Sequence, residues 1–239
     1  MMLTFTEWLI ASLVLAAGST LQGAVGTGIG LVSVPLLALI EPRLVPGSAL
    51  FSSLALTGLM LVRERRAVDL FGIKWGIAGR IGGTLVASYL LVNLPTEETN
   101  LIIGALVLLG VILSISGLSV TRITGTLIGA GVLSGIMGTL SSVGGPPMAL
   151  LYQDAKGPKI RATLAGFFIL GTNISLLALI LVGNFGWSEF VTSLTLVPGV
   201  LLGYLLSGQV KTWLDKGYMR PAILAVCAAS AFAVIVKQF

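Results

Sequence analysis

The sequence predicts an all-α polytopic membrane protein made of two inverted repeats, each with a broken-helix hairpin and three transmembrane helices. The first supporting observation is composition: of 239 residues, 56% are apolar and only 10% are charged, and the mean hydropathy is +1.04. Soluble domains carry about 25% charged residues. The second observation is a pair of glycine-rich breaks inside apolar stretches. The third is the distribution of Lys and Arg among the loops.

The positive net charge does not indicate a nucleic-acid partner. The formal charge is +5, but the 14 Lys and Arg residues lie in short loops between apolar segments, where they set membrane topology. The chain has no histidine and one cysteine, Cys227, so we predict no metal, no cofactor and no intramolecular disulfide. The first apolar segment lacks a basic leader and a small-residue cleavage site, which predicts a retained helix rather than a signal peptide.

Apolar segments follow one another along the chain, and a helix needs about 20 such residues to cross a bilayer. They cover residues 3–21, 31–40, 46–62, 72–92, 99–118, 123–140, 146–152, 162–182, 190–208 and 221–236. The second and seventh segments are too short to cross alone, and each follows a glycine-rich break. We therefore divide the chain into a first membrane repeat, residues 1–118, and a second, residues 119–239, which together form one transmembrane domain.

The two breaks interrupt helices that apolar composition would otherwise continue. Residues 21–31 place glycine at every second position from Gly26 to Gly30, and residues 135–147 end in two glycines and two prolines. An interior glycine costs about 1 kcal/mol and an interior proline about 3 kcal/mol relative to alanine. Backbone groups freed at membrane depth are tolerated only where protein buries them or where they line a watery cavity. Paired breaks therefore indicate the substrate site of a transporter.

Loop charges predict the orientation of the halves. Lys and Arg mark the loops around Arg65, Lys159 and Lys216 as cytoplasmic, whereas the loops at 93–100 and 183–189 carry neither residue and are expected outside. Eight simple membrane crossings cannot place all of these loops on the sides that their charges predict. Treating 3–40 and 123–153 each as a hairpin removes the conflict, because the halves are then inverted relative to each other and both termini lie outside.

The short arms begin inside the protein, at about Leu31 and Pro146, and a helix start presents unpaired N–H groups and about half a positive charge. Such ends bind anions, so we predict an oxyanion site of backbone amides and hydroxyls. The predicted substrate-binding residues are Gln22, Gly26, Thr27, Gly28, Gly30, Arg80, Ser141, Ser142, Gly144, Gly145 and Asn173. The alternative is that the glycines serve helix packing and the hydroxyls bond their own backbone.

Charge placement separates anion from cation substrates. All nine acidic residues lie in loops or at the ends of apolar segments, so no cation site is predicted. Arg80 is the basic residue that lies more than a turn inside an apolar segment. It can neutralise an anion near the midplane or extend to the interface, and the sequence leaves both open. Asn173 lies mid-segment and can contact substrate or bond another helix.

The motifs resemble those of a known family. They are Gln22-Gly23-x-x-Gly26-x-Gly28-x-Gly30 followed by Val34-Pro35, then Gly135-x-x-Gly138 and Gly144-Gly145-Pro146-Pro147. This pattern is similar to that of the TauE/SafE permeases, the sulfite exporter family, although Ser141-Ser142-Val143 departs from the commoner glycine-rich second motif. The resemblance implies transport of sulfite or an organosulfonate across the cell membrane of a bacterium or archaeon, coupled to the proton gradient.

Other function classes remain as alternatives at this stage. A transporter could carry a non-sulfur organic anion such as a carboxylate. An intramembrane enzyme would need a Ser/His or paired-Asp constellation in a span, which the sequence lacks, so no enzymatic activity is predicted. A non-transporting scaffold would have no reason to break two helices symmetrically. The predicted partners are a small anion and the lipid bilayer, and a homo-oligomer is left open.

Overall fold

The structure is a computed structural model, and it describes residues 3–118 and 120–214. Within these residues it contains nine α-helices and no strand, which confirms the all-α class. The helices are α1 (Phe5–Val25), α2 (Ile29–Ile40), α3 (Gly47–Glu64), α4 (Leu70–Asn93), α5 (Thr96–Ile115), α6 (Thr124–Ser141), α7 (Gly145–Tyr152), α8 (Gly157–Leu181) and α9 (Trp187–Leu214). The predicted segment 221–236, Lys216 and Cys227 lie outside the described residues.

Five helices of the described part are long and apolar enough to cross a membrane: α1, α4, α6, α8 and residues Trp187–Gln209 of α9. Helix α3 has 18 residues but is not in this group. It carries buried hydroxyls at Ser48, Ser52, Ser53 and Thr57, which lower its hydropathy and face the protein interior. The five long apolar helices make the chain a multi-pass membrane protein.

The outer surface of the bundle is apolar. Large side chains such as Leu85, Tyr89, Leu181 and Leu205 are each at least 66% exposed. Soluble proteins rarely expose contiguous apolar surface of this kind. Hydroxyl side chains are buried instead, so the bundle has an apolar exterior suited to lipid and a partly polar interior.

Helices of one half of the chain pack against helices of the other half. Helix α1 of the first half packs along α9 of the second, α6 of the second packs along α4 of the first, and α3 packs against α8. Helices α1 and α6 are the long arms of the two hairpins, and their backbones closely approach those of their partners. A Cβ on Gly83 would overlap the carbonyl of Val132, and a Cβ on Gly203 would overlap that of Ala16. Small residues permit such close helix approach in membranes. Each half therefore supplies one helix that packs on the long arm of the other.

Two groups of loops define the ends of the bundle. At the basic end, Arg161 binds Glu64 through Nε and Nη2 at 2.6–3.0 Å, and Lys159 Nζ lies 3.4 Å from Asp69 Oδ2. Burial raises the pKa of the Asp69 carboxyl, but the Gly72 N–H and the Lys159 ammonium lower it by more, so it stays below its usual value. The loops around Arg65 and Lys159, both predicted to be cytoplasmic, thus lie together.

The 183–189 loop, which has no basic residue, lies at the opposite end of the bundle, beside residues 41–46, which include Arg43. Ser48 Oγ, at the start of α3, donates to the carbonyl of Glu189 at 3.2 Å. A cavity at this end is lined by Leu3, Glu41 and Ser188, so the start of α1, the end of α2 and the 183–189 loop are neighbours. Which end faces the cytoplasm stays a prediction from the loop charges.

The long arm of the first hairpin is longer than predicted. We expected it to end at Leu21, but α1 continues to Val25 because Gly23 stays helical. A Cβ on Gly23 would lie 2.6 Å from Ser207 Oγ, so this glycine is required for packing against α9 and does not break the helix. The short arms also begin slightly earlier than predicted, at Ile29 and Gly145.

Candidate functional site

The two helix breaks have the same local construction. Three residues separate α1 from α2, and three separate α6 from α7. The first residue of each break adopts a left-handed conformation, with φ 106° at Gly26 and 59° at Ser142. In each case its N–H donates to the carbonyl four residues earlier, on Gln22 at 2.7 Å and on Gly138 at 3.0 Å. Both long helices therefore end in one hydrogen-bonded turn that redirects the chain.

Ser142 occupies a conformation that favours glycine. A left-handed residue with a side chain costs roughly 1–2 kcal/mol. Its Oγ donates to the carbonyl of Pro46 at 2.8 Å, which ties the second break to the start of α3. This bond offsets part of the backbone cost and fixes the position of the break.

The breaks contact each other inside the bundle. A Cβ on Gly30 would overlap the carbonyl of Ser142, and a Cβ on Gly145 would overlap Thr27 Oγ1. Beside this contact lies a cavity of about 40 Å³. A single water needs at least about 10–15 Å³ by the same measure, so the cavity has room for a few waters or one small oxyanion.

Gln22 holds the start of α2. Its Oε1 accepts a hydrogen bond from the Ile29 N–H at 3.2 Å, and the side chain is buried. This bond satisfies one of the amides that a helix start leaves unpaired. Because the carbonyl end of Gln22 is engaged, its NH₂ group is the end that can donate to a ligand.

Arg80 is completely enclosed on α4, with 1% of its surface exposed. Its Nη1 donates to Ser134 Oγ at 2.8 Å and its Nη2 donates to Ser175 Oγ at 3.3 Å. Its Nε is buried without a hydrogen-bond partner, and among the described residues no carboxylate forms an ion pair with it. The structure thus excludes an Arg80 that extends to the interface, because the guanidinium lies inside the bundle and lines the cavity.

Three glycines make room for this guanidinium. A Cβ on Gly138 would lie 2.7 Å from Nη2, a Cβ on Gly144 would lie 2.9 Å from Nη1, and a Cβ on Gly171 would overlap Nε. The face of Phe167 lies on another side, with its ring centroid 5.3 Å from Cζ, a cation–π distance. Helices α6 and α8 and the second break therefore surround the charge without supplying an opposite one.

A network of hydroxyl groups continues from the serines that contact the guanidinium. Ser134 Oγ donates to the carbonyl of Gly144 at 2.5 Å, which links Arg80 to the second break. Thr139 Oγ1 lies 2.8 Å from Ser175 Oγ and donates to Thr84 Oγ1 at 3.2 Å. All these side chains are buried and neutral.

The cavity brings together most of the residues predicted to bind substrate. It is lined by Gln22, Thr27, Gly28, Gly30, Arg80, Ser142, Gly144 and Gly145. It is not lined by Gly26, which packs against Arg161, or by Ser141, whose Oγ donates to the Met137 carbonyl at 2.7 Å. Asn173 is exposed, and its Nδ2 donates to the Ile169 carbonyl one turn earlier.

Further residues line the cavity that the sequence did not assign to the site. They include Ser53 and Thr57 on α3 and Phe168 and Thr172 on α8. Thr57 and Thr172 are paired by the predicted repeats, and such a pairing of threonines is a signal that the sequence does contain. Ser134 and Ser175 gave no such signal. Within the described ranges, no cluster of His, Cys, Asp or Glu is placed to hold a metal ion.

Comparison with known proteins gives one match. The model of the family described as "Sulfite exporter TauE/SafE" matches residues 10–234, nearly the whole chain. No curated protein and no solved structure matches the chain significantly.

Proposed function

The chain belongs to the TauE/SafE sulfite exporter family, and from that premise we propose that it is a secondary transporter for sulfite or a small organosulfonate. In this proposal the protein lies in the cell membrane of a bacterium or archaeon, works by alternating access and is coupled to the proton gradient. The observation that carries the proposal is Arg80, a buried guanidinium without a carboxylate partner, at a cavity between two helix breaks.

The energetics of Arg80 favour an anionic ligand. A buried charge without a partner costs several kcal/mol, even after relaxation of its surroundings. Ionisable residues inside membrane spans generally mark substrate or ion pathways. Serine hydroxyls orient the guanidinium but cannot neutralise it, so an anion in the cavity would supply the missing charge and a charge-assisted hydrogen bond.

The neutral groups around the cavity suit the oxygens of the same ligand. Thr27 contributes its hydroxyl, Gln22 contributes its NH₂ group, and Gly28, Gly30 and Ser142 bring backbone close to the cavity. The Ser142 hydroxyl itself is already donated to the Pro46 carbonyl. Helix starts bind oxyanions through such amides. We propose these residues, with Gly144 and Gly145, as the substrate contacts.

The proposed mechanism uses residues 1–118 and 119–239 as inverted repeats that rock about the substrate. The packing of helices between the halves supports this division, since α1 packs on α9 and α6 packs on α4. The substrate cavity lies where the breaks of the two halves meet. Transporters of this type bind substrate near the midplane, at the interface of the repeats.

Transport by the purified, full-length protein in liposomes tests the proposal. Vesicles would be loaded with sulfite, methanesulfonate or acetate, and release would be followed against protein-free vesicles. We expect protein-dependent release of the two sulfur anions and little of acetate. Release of acetate alone would support the carboxylate alternative, and the absence of release for all three would contradict the proposal.

A further inference from the structure

The cavity contains one full charge. Arg80 is the titratable side chain among the residues that line it. The groups that face its guanidinium from α6, the second break and α8 are Ser134, Gly138, Gly144, Phe167, Gly171 and Ser175. None of these groups titrates, and those on α1, α2 and α3 at the cavity are likewise uncharged.

The helix ends add little to this charge. A helix start carries about half a positive charge and a helix end about half a negative one. At each break a helix end and a helix start occur together, because only three residues separate α1 from α2 and three separate α6 from α7. Their partial charges therefore largely cancel. The breaks offer neutral hydrogen-bond donors, and the net charge of the site remains that of Arg80.

A site with a single positive charge discriminates among oxyanions by their charge. A monovalent anion is neutralised by Arg80, whereas a divalent anion retains one negative charge that must leave water without a partner. Desolvation of an unpaired charge is strongly unfavourable. The geometry around Arg80 therefore favours monovalent over divalent oxyanions of the same size.

The cavity offers no protein group to carry a proton, because none of the residues that line it is a carboxylic acid, a histidine or a cysteine. The chain has no histidine, and its nine acidic residues lie in loops or at segment ends. Sulfite itself titrates near neutral pH, between the divalent anion and hydrogensulfite. We propose that this protein binds and carries hydrogensulfite, so that the coupled proton crosses the membrane on the substrate.

This inference rests on the proposed function and specifies the charge state of its substrate. Each cycle would then move one proton and one net negative charge together. A membrane potential that is negative inside favours export of such a monovalent anion, whereas a proton gradient that is acidic outside opposes it, because the proton leaves with the substrate. The potential therefore drives this export. On release outside, hydrogensulfite gives its proton to water and becomes sulfite, which the site binds poorly.

Binding titrations of the full-length protein in detergent, from about pH 6 to about pH 9, test the inference. Three probes are compared: sulfite, methanesulfonate, which is a permanent monovalent anion, and sulfate, which is divalent throughout. We expect the affinity for total sulfite to fall about tenfold per pH unit once hydrogensulfite is the minor species. Methanesulfonate should bind equally at all pH values, which controls for titration of the protein, and sulfate should not compete.

Each other result has a definite meaning. An affinity for sulfite that is constant or rises with pH, while methanesulfonate stays constant, would overturn the inference and leave the proposed function standing. Competition by sulfate as strong as that by methanesulfonate would do the same. Failure of all three probes to bind would overturn the proposed function and the inference with it.

Discussion

The two helix breaks have the same local construction, yet they contribute different chemistry to the cavity. The first three residues of α2 all carry an N–H, whereas two of the first three residues of α7 are prolines, Pro146 and Pro147, which carry none. The second break instead lies against Arg80, through Gly144 and Ser134. The first break therefore supplies neutral donors, and the second positions the charge.

The glycines of the two breaks are also required for different reasons. Gly28 has φ 138°, a conformation that side chains rarely adopt, and a Cβ there would also lie 2.7 Å from Leu21. Gly144 has φ −81°, which any residue can adopt, so space alone requires glycine there. A similar glycine pattern thus serves backbone conformation in one half, and in the other it makes room for a guanidinium and for the Ser134 carbonyl, which would also lie 2.9 Å from a Cβ on Gly144.

The largest effects should come from Gly28→Val and Gly144→Val. Both should abolish transport, because one distorts the first break and the other displaces Arg80. Gly129→Val is the matched control, since a Cβ on Gly129 meets nothing within 4 Å, and it should transport as the unmodified protein does. Transport assays in liposomes measure this. Normal transport by both break variants would show that the breaks only serve packing.

A double substitution separates the two causes. Adding Arg80→Gln to Gly144→Val shortens the side chain that the valine meets, so this pair should recover more thermal stability than Arg80→Gln gains in the unmodified protein. Adding it to Gly28→Val should recover no more than that gain, because the strain there is in the backbone. Coupling of neighbouring sites is typically about 0.5–3 kcal/mol. Equal recovery in both backgrounds would contradict the division between the breaks.

Substitution of Arg80 alone should separate stability from binding. Arg80→Gln should raise the melting temperature of the ligand-free protein, because it removes an unpaired buried charge, and should abolish methanesulfonate binding. Arg80→Lys keeps the charge but loses the planar fork, so affinity should fall by about tenfold, or ~1.4 kcal/mol. Thermal melts and titrations measure both. The control is Arg43→Gln, because the Arg43 side chain is 70% exposed at the opposite end of the bundle. Unchanged binding in Arg80→Gln would leave the backbone amides as the anion site.

Gln22 tests the neutral donors of the first break. Gln22→Ala removes the acceptor for the Ile29 N–H, and loss of a helix-start cap costs about 0.5–2 kcal/mol. Gln22→Glu keeps the acceptor but adds a negative charge beside the anion. We therefore expect Gln22→Glu to be the more stable variant and the weaker binder. A Gln22→Glu protein that binds methanesulfonate as tightly as Gln22→Ala would place the anion away from the first break.

The smallest effect should come from Ser142→Gly, which makes the second break resemble the first. The change relieves a left-handed serine, worth roughly 1–2 kcal/mol, and removes the bond to Pro46, worth about 0.5–1.5 kcal/mol. The melting temperature should therefore change by only a few degrees, and transport should persist. A loss of transport in this variant would indicate that the Ser142 hydroxyl binds substrate.

The sequence predicted the breaks better than the polar groups around them. Glycine and proline in apolar segments have few explanations, so residue type alone assigns Gly28 and Gly144 to breaks. Asn173 was predicted to face the site because it is polar and mid-segment, but it bonds its own backbone and faces outward. Ser134 and Ser175 escaped notice because serine is common in membrane helices, where it often bonds its own helix. Which face of a helix points inward depends on packing between halves, and a single sequence does not specify that packing.

Helix α3 has a consequence for how the protein enters the bilayer during synthesis. The insertion machinery partitions each segment by its own hydrophobicity, and α3, α2 and α7 are each too polar or too short to be recognised as strongly as the five long apolar helices. These three helices line the cavity or meet beside it. Helix α3 packs chiefly against α8 and α9, which are synthesised after it, so we expect the substrate pathway to be completed only once these later helices have inserted.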